Sequence, residues 1–156
     1  MLSESARMSS AAEGRYRVQA PNSTPRAVHV VALDGAGERV VRRLATAGWN
    51  HATFLIAADT ALADVAGRTR NIDDEVRAAD LVVLVAGPGG HAHAAALVGQ
   101  ACSLRRVMTT GFVVGVTSES KHALSKTLAQ LRPWSLMVVI ADDDEYIDDM
   151  LTALRA

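Results

Sequence analysis

The sequence predicts an α/β fold: a three-layer, Rossmann-like domain with a mainly parallel, five-stranded sheet and helices on both faces. Three observations predict it. Short apolar runs rich in Val, Leu and Ile alternate with longer segments of helical periodicity. The strongest runs lack polar alternation, the pattern of strands buried on both faces. Glycine-rich or acidic turns follow the runs, where strands of a parallel sheet hand over to helices.

Taken in order, Ala27–Leu33 (AVHVVAL) is the first strand and stops at Asp34-Gly35-Ala36-Gly37. Glu38–Ala47 carries Val40, Val41 and Leu44 at helical spacing with arginines opposite, and Gly48 is its expected C-cap. Thr53–Ala58 (TFLIAA) is the second strand. Asp59–Arg70 reads as a loop with one helical turn, and Ile72–Ala79 as a short helix begun by Asn71 or Asp73. Leu81–Ala86 (LVVLVA) is the strongest strand, broken by Gly87-Pro88-Gly89-Gly90 before an alanine-rich helix from about His91 to Leu104. Thr109–Thr117 is a strand, Ser120–Leu131 a helix stopped by Pro133, Leu136–Ala141 (LMVVIA) the last strand and Asp143–Arg155 the last helix. Residues 1–26, rich in Ser, Ala, Arg and Pro without apolar periodicity, read as a flexible tail ahead of a single domain over 27–156.

Composition narrows the function classes. At 156 residues the chain can bury a real core, and aromatics at 4 % make that core aliphatic. A net charge of −1 without a basic stripe argues against nucleic acid and against a membrane surface as partners. A lone cysteine, Cys102, excludes an intramolecular disulfide and a cysteine zinc cluster; on a helix without an activating neighbour it reads as a buried packing residue. With no apolar run near ~20 residues and no signal-peptide core, the expected setting is soluble and cytoplasmic.

The expected ligand site lies where the two glycine turns meet, at the carboxyl ends of the strands. Gly35 and Gly37 allow a tight turn into a helix whose N-terminus can face an anion, although Val40 stands where a third fingerprint glycine would be. Asp34 opposes a phosphate there unless it meets a sugar hydroxyl or a metal. Gly87, Gly89 and Gly90 exceed what turning the chain requires and carry most of the anion-binding case; no Gly-Lys-Ser/Thr follows, so this is not a P-loop. His91 and His93 line the mouth, where the imidazoles either donate hydrogen bonds to an anion or are merely solvated; at a helix start they point apart, which disfavours a metal pair. Asp142-Asp143-Asp144-Glu145 reads as first-turn acids, with Asp142 or Asp143 the N-cap, and Ser118 or Ser120 caps the preceding helix. No serine sits in a nucleophile elbow. Trp49 and Trp134, in loops at the amino edge, are packing residues.

In this order the motifs resemble the nucleotide-binding half of the tubulin and FtsZ family, from about Ala27 to Ile147. VHVVALDGAGERVVRRL (28–44) is similar to its first strand, glycine turn and helix, and FLIAADTAL (54–62) to its second strand and Asn-Thr-Asp loop. ADLVVLVAGPGGHAHAAA (79–96) resembles the signature ADxVFxxAGxGGGTGTGAA, and WSLMVVIADDDEY (134–146) the later strand ending in Asn-Asp. The resemblance implies a guanine nucleotide, GTP or GDP, cradled by Gly35, Gly37, Gly87, Gly89 and Gly90. His91-Ala92-His93-Ala94 replaces the Gly-Thr-Gly-Thr portion, and the family's second half has no counterpart before residue 156. The expectation is therefore a degenerate nucleotide- or anion-binding module without GTPase or polymerising activity. Two alternatives stand beside it. One is an NAD(P)-binding oxidoreductase-type domain, resting on Gly35-x-Gly37 and on Asp59, 22 residues after Gly37. The other is a ligand-free scaffold that binds a protein partner or a second copy of itself.

Overall fold

The computed structural model describes residues 24–58, 60–90 and 92–156. The tail expected over residues 1–26 thus lies almost wholly outside the described residues, as do Asp59 and His91. The chain is tied into the fold from Arg26, whose backbone N–H donates to the Leu154 carbonyl.

The structure is α/β, with a seven-stranded, mostly parallel sheet. Its elements are β1 (Val28–Ala32), α1 (Gly35–Ala45), β2 (Ala52–Ala57), β3 (Leu62–Asp64), β4 (Thr69–Arg70), α2 (Ile72–Ala78), β5 (Leu81–Ala86), α3 (Ala94–Arg105), β6 (Met108–Val113), a 3₁₀ turn (Ser118–Ser120), α4 (Lys121–Leu131), β7 (Met137–Ile140) and α5 (Glu145–Ala153). The strand order is β4-β3-β2-β1-β5-β6-β7. All five predicted strands are present and form the parallel part, β2-β1-β5-β6-β7.

The expected count of five strands is corrected to seven, because the segment read as a loop with a helical turn is an antiparallel hairpin, β3–β4, added beside β2. Its turn is built by Asp64. One carboxylate oxygen accepts from the backbone N–H groups of Ala66 and Arg68, and the other from Arg68 Nε at 2.9 Å. Gly67 supplies the positive φ of +87° that this tight turn requires.

Alternation along each strand sorts the core into two clusters. Val31, Val82, Leu84 and Val113 pack with Val76 of α2, Val98 and Cys102 of α3 and Leu128 and Leu131 of α4. Val30, Val83, Val85 and Phe112 pack with Val40, Val41 and Leu44 of α1 and Ile147 and Leu151 of α5. Trp134 lies against the first cluster and Trp49 against the second. Cys102 is buried, and burial raises its thiol pKa above the ordinary value while Thr109 opposes the shift by hydrogen bonding. No helix among the described residues is long and apolar enough to cross a membrane.

Under the hairpin runs a polar chain. His29 of β1 is buried with its Nδ1 3.2 Å from Glu75 Oε2, and Glu75 accepts from Arg70 Nε at 2.7 Å. Burial lowers the His29 pKa below 6.5, with Glu75 pulling it up and Arg70 pushing it down. The imidazole is therefore neutral at pH 7.

Candidate functional site

The chain runs from β1 outward to β2, then returns to place β5 on the other side of β1, so the order reverses between β1 and β5. Loops leaving these two neighbours must diverge there, which opens a crevice at their carboxyl ends. Both glycine turns lie in it. The crevice encloses about 560 Å³ and is lined by Asp34, Gly35 and Ala36, by Arg39 and Arg43, by Gly87, Pro88 and Gly90, and by Asp142–Asp144.

Asp34 is the centre of this arrangement. It is the N-cap of α1: one carboxylate oxygen accepts from Gly37 N–H at 2.8 Å. The other accepts from Gly87 N–H at 2.9 Å, across from β1 to β5. A single carboxylate thus holds the two turns together and occupies a backbone donor from each. The glycines on either side have packing reasons of their own. A Cβ on Gly90 would overlap the Asp34 carboxylate, and one on Gly37 would overlap the Val85 carbonyl.

The rest of the second turn is fastened from α4. Gly89, at a φ of +74°, donates its N–H to Thr127 Oγ1 at 2.9 Å, and the same hydroxyl donates to the Gly87 carbonyl at 3.2 Å. Ala92 N–H donates to Gln130 Oε1, whose amide nitrogen lies 3.2 Å from His93 Nδ1. Three backbone donors of this loop (Gly87, Gly89 and Ala92) are therefore satisfied by side chains of the protein itself. Gly35 is exposed, with open space around its Cα, and faces the crevice.

Charge around the crevice is predominantly acidic. Asp34, Asp142, Asp143 and Asp144 face Arg39 and Arg43. Arg43 is consumed by Asp144 and Asp148 of α5, both at 2.8 Å, and these carboxylates raise its already high pKa. Arg39 is exposed and makes no ion pair with any described residue. With Asp144 taken up by Arg43, three carboxylates against one uncommitted guanidinium are still a poor field for a polyanion.

The first-turn acids of α5 differ from expectation in detail. The N-cap is Asp144, without a side-chain cap bond, and Asp143 instead accepts from Glu145 N–H. Ser120 does stand at the N-cap of α4, without a side-chain cap bond, while Thr117 and Ser120 form a reciprocal capping box around the 3₁₀ turn before it; the C-cap of α1 is Thr46 rather than Gly48. Asn71 does cap α2.

The structure therefore brings together Asp34, Gly35, Gly37, Gly87, Gly89, Gly90 and His93 at the carboxyl ends of the central strands β1 and β5. It says nothing of Asp59 and His91. Sequence reasoning missed Thr127 and Gln130. Their signal was available: Ala123, Thr127 and Gln130 follow helical spacing on α4 beside the apolar Leu124, Leu128 and Leu131. Among the described residues no group of His, Cys, Asp and Glu is arranged to hold a metal ion. No family model matches the chain, and a comparison with curated proteins found no match.

Proposed function

We propose that this chain is a non-catalytic binding module on an FtsZ/tubulin-like, three-layer Rossmann-like fold, degenerate in its phosphate cradle. Its ligand is a nucleoside-sized polar molecule rather than a nucleoside triphosphate. One observation carries the reading: the Asp34 carboxylate spans both glycine turns and holds the N–H groups of Gly37 and Gly87. An anion at that point would have to displace a covalently attached carboxylate and then lie beside it. Thr127 and Gln130 remove two further donors. What remains is a crevice of about 560 Å³, within the usual range for small-molecule sites, lined by carboxylates suited to hydroxyl or amino groups.

Calorimetry with guanosine, GDP, GTP and NAD(P), each with magnesium, tests the proposal. The expected result is that phosphates add nothing: GTP binds no more tightly than guanosine. GTP binding tenfold or more tighter than guanosine would overturn it. Binding of none of these would favour the second reading, a ligand-free scaffold, which the same saturation of loop donors supports.

A further inference from the structure

The two edges of the sheet are finished differently. β4, at one edge, is two residues long and ends in Arg70, which is engaged with Glu75. Short, charged edges resist pairing with other strands. β7, at the other edge, is Met-Val-Val-Ile, with no charge, no proline and no partner strand beyond β6 among the described residues. Four of the six exposed large apolar side chains among the described residues gather here: Leu136 is 74 % exposed, Met137 54 % and Ile140 46 %, with Met108 beside them at the start of β6, while Leu104 and Tyr146 lie on α3 and α5. Helices α4 and α5 cover the two faces of β7 only in part, leaving Val138 and Val139 half-buried.

We propose that β7 is a self-association edge, at which two copies of this chain pair antiparallel about a two-fold axis and continue one sheet through the other. The occupant is a second copy because the edge is self-complementary in charge. At the amino end of β7 Arg106 lines a groove with Leu136, and Arg105 and Arg132 stand where α3 and α4 end in the chain before β6 and β7; all three are exposed and without an ion pair among the described residues. At its carboxyl end come the exposed Asp142 and Asp143, whereas Asp144 is held by Arg43. Antiparallel pairing carries the acidic end of each strand past the basic end of the other. It brings that end to a groove of about 330 Å³ lined by Arg106, Met108, Trp134 and Leu136. A parallel arrangement would set like charges side by side.

The register follows from the pleat. Ala141 N–H bonds inward to the Val113 carbonyl, in the register that pairs Val113 with Ile140, so by alternation the backbone groups of Val138 and Ile140 face outward. A two-fold axis perpendicular to the sheet keeps each face continuous, which places a residue, not a peptide bond, on the axis. Centring on Val139 sets Val138 opposite Ile140 of the second copy, exchanging both hydrogen bonds. It also covers each exposed Ile140 side chain with Val138 of the other copy and sets the exposed Met137 opposite Ala141.

Sedimentation of the full chain over a concentration series is the first test, and a monomer–dimer equilibrium is the expected result. Ile140→Lys, at a position already exposed and so tolerant in the monomer, should weaken dimerisation roughly tenfold or more. Arg132→Asp and Asp142→Arg should each weaken it, and their combination should restore it. Val139→Cys should give a disulfide-linked dimer on mild oxidation, since it faces itself at a non-hydrogen-bonded position. Met137→Cys should not. A chain that stays monomeric throughout the series overturns the proposal. So does a dimer indifferent to Ile140→Lys and uncrosslinked by Val139→Cys.

Discussion

Removing the Asp34 side chain tests the central feature of the crevice in two opposite directions at once. In Asp34→Ala the helix loses its N-cap, worth about 1 kcal/mol. The N–H of Gly87, bonded to the carboxylate at 2.9 Å, loses a charge-assisted partner worth about 1.5–3 kcal/mol. The crevice is open enough for water to replace part of this, so the expected total is about 2–4 kcal/mol. For a folded domain of this size that is a fall of roughly 6–15 °C in Tm. The same change vacates two backbone donors at a helix N-terminus and removes a repelling charge, which together create an anion site. Inorganic phosphate should then stabilise Asp34→Ala more than the parent chain; the parent serves as control for the general salting-out effect of phosphate. At a hundredfold excess over its Kd such binding returns about 2.7 kcal/mol, most of what was lost. Asp34→Asn, which keeps a capping oxygen but offers Gly87 no second acceptor, should fall between the two. Thermal melts with and without phosphate read all of this. A loss below about 1 kcal/mol, or equal phosphate stabilisation of parent and variant, would refute the reasoning.

Thr127→Val, nearly isosteric and fully buried, should cost about 1–3 kcal/mol in urea unfolding, because Gly89 N–H and the Gly87 carbonyl each lose a partner. Gly90→Ala should destabilise by about 1–3 kcal/mol through overlap with the Asp34 carboxylate. That cost should shrink in the Asp34→Gly background, and a fully additive double-mutant cycle would count against the contact. The pH dependence follows from His29. Its folded pKa lies below 6.5, so below that pH the unfolded chain takes up a proton that the folded chain refuses. Its contribution is complete above about pH 6.5 and is lost as pH falls towards the folded value. His29→Leu should flatten this limb of the stability profile, and an unchanged limb would exclude His29 as its origin.

The parallel part of the fold was legible because burial on both faces leaves one composition: LVVLVA and VHVVA admit almost nothing polar. His29 is the exception, and its partner Glu75 lies 46 residues away, beyond any local pattern. The hairpin escaped for a different reason. Its strands are three and two residues long, too short for alternation to register. Its real signal was the turn, an acid followed three residues later by glycine, Asp64 to Gly67. Caps were legible in kind but shifted in place, since adjacent acids such as Asp142–Asp144 offer the helix several equivalent starts.

The site was legible in position and ambiguous in meaning, and Asp34 explains why. Glycines cluster where backbone must come close to something without room for a Cβ between them. Sequence alone does not say whether that neighbour belongs to a ligand or to the chain. Here Gly90 lies against a carboxylate that the chain supplies itself, and Gly37 lies against a backbone carbonyl. The pattern that suggests a phosphate cradle is thus equally the pattern needed to fold around Asp34. The discriminating residues lie elsewhere. Thr127 and Gln130 sit 40 and 38 residues beyond the loop atoms they hold, on a helix whose apolar stripe gives no hint of a ligand. A glycine-rich turn followed by a helix therefore specifies a close approach of the backbone to a neighbour, here the Asp34 carboxylate at Gly90 and the Ala36 methyl at Gly87. Only the partners of its N–H groups decide between a binding site and an internal tie.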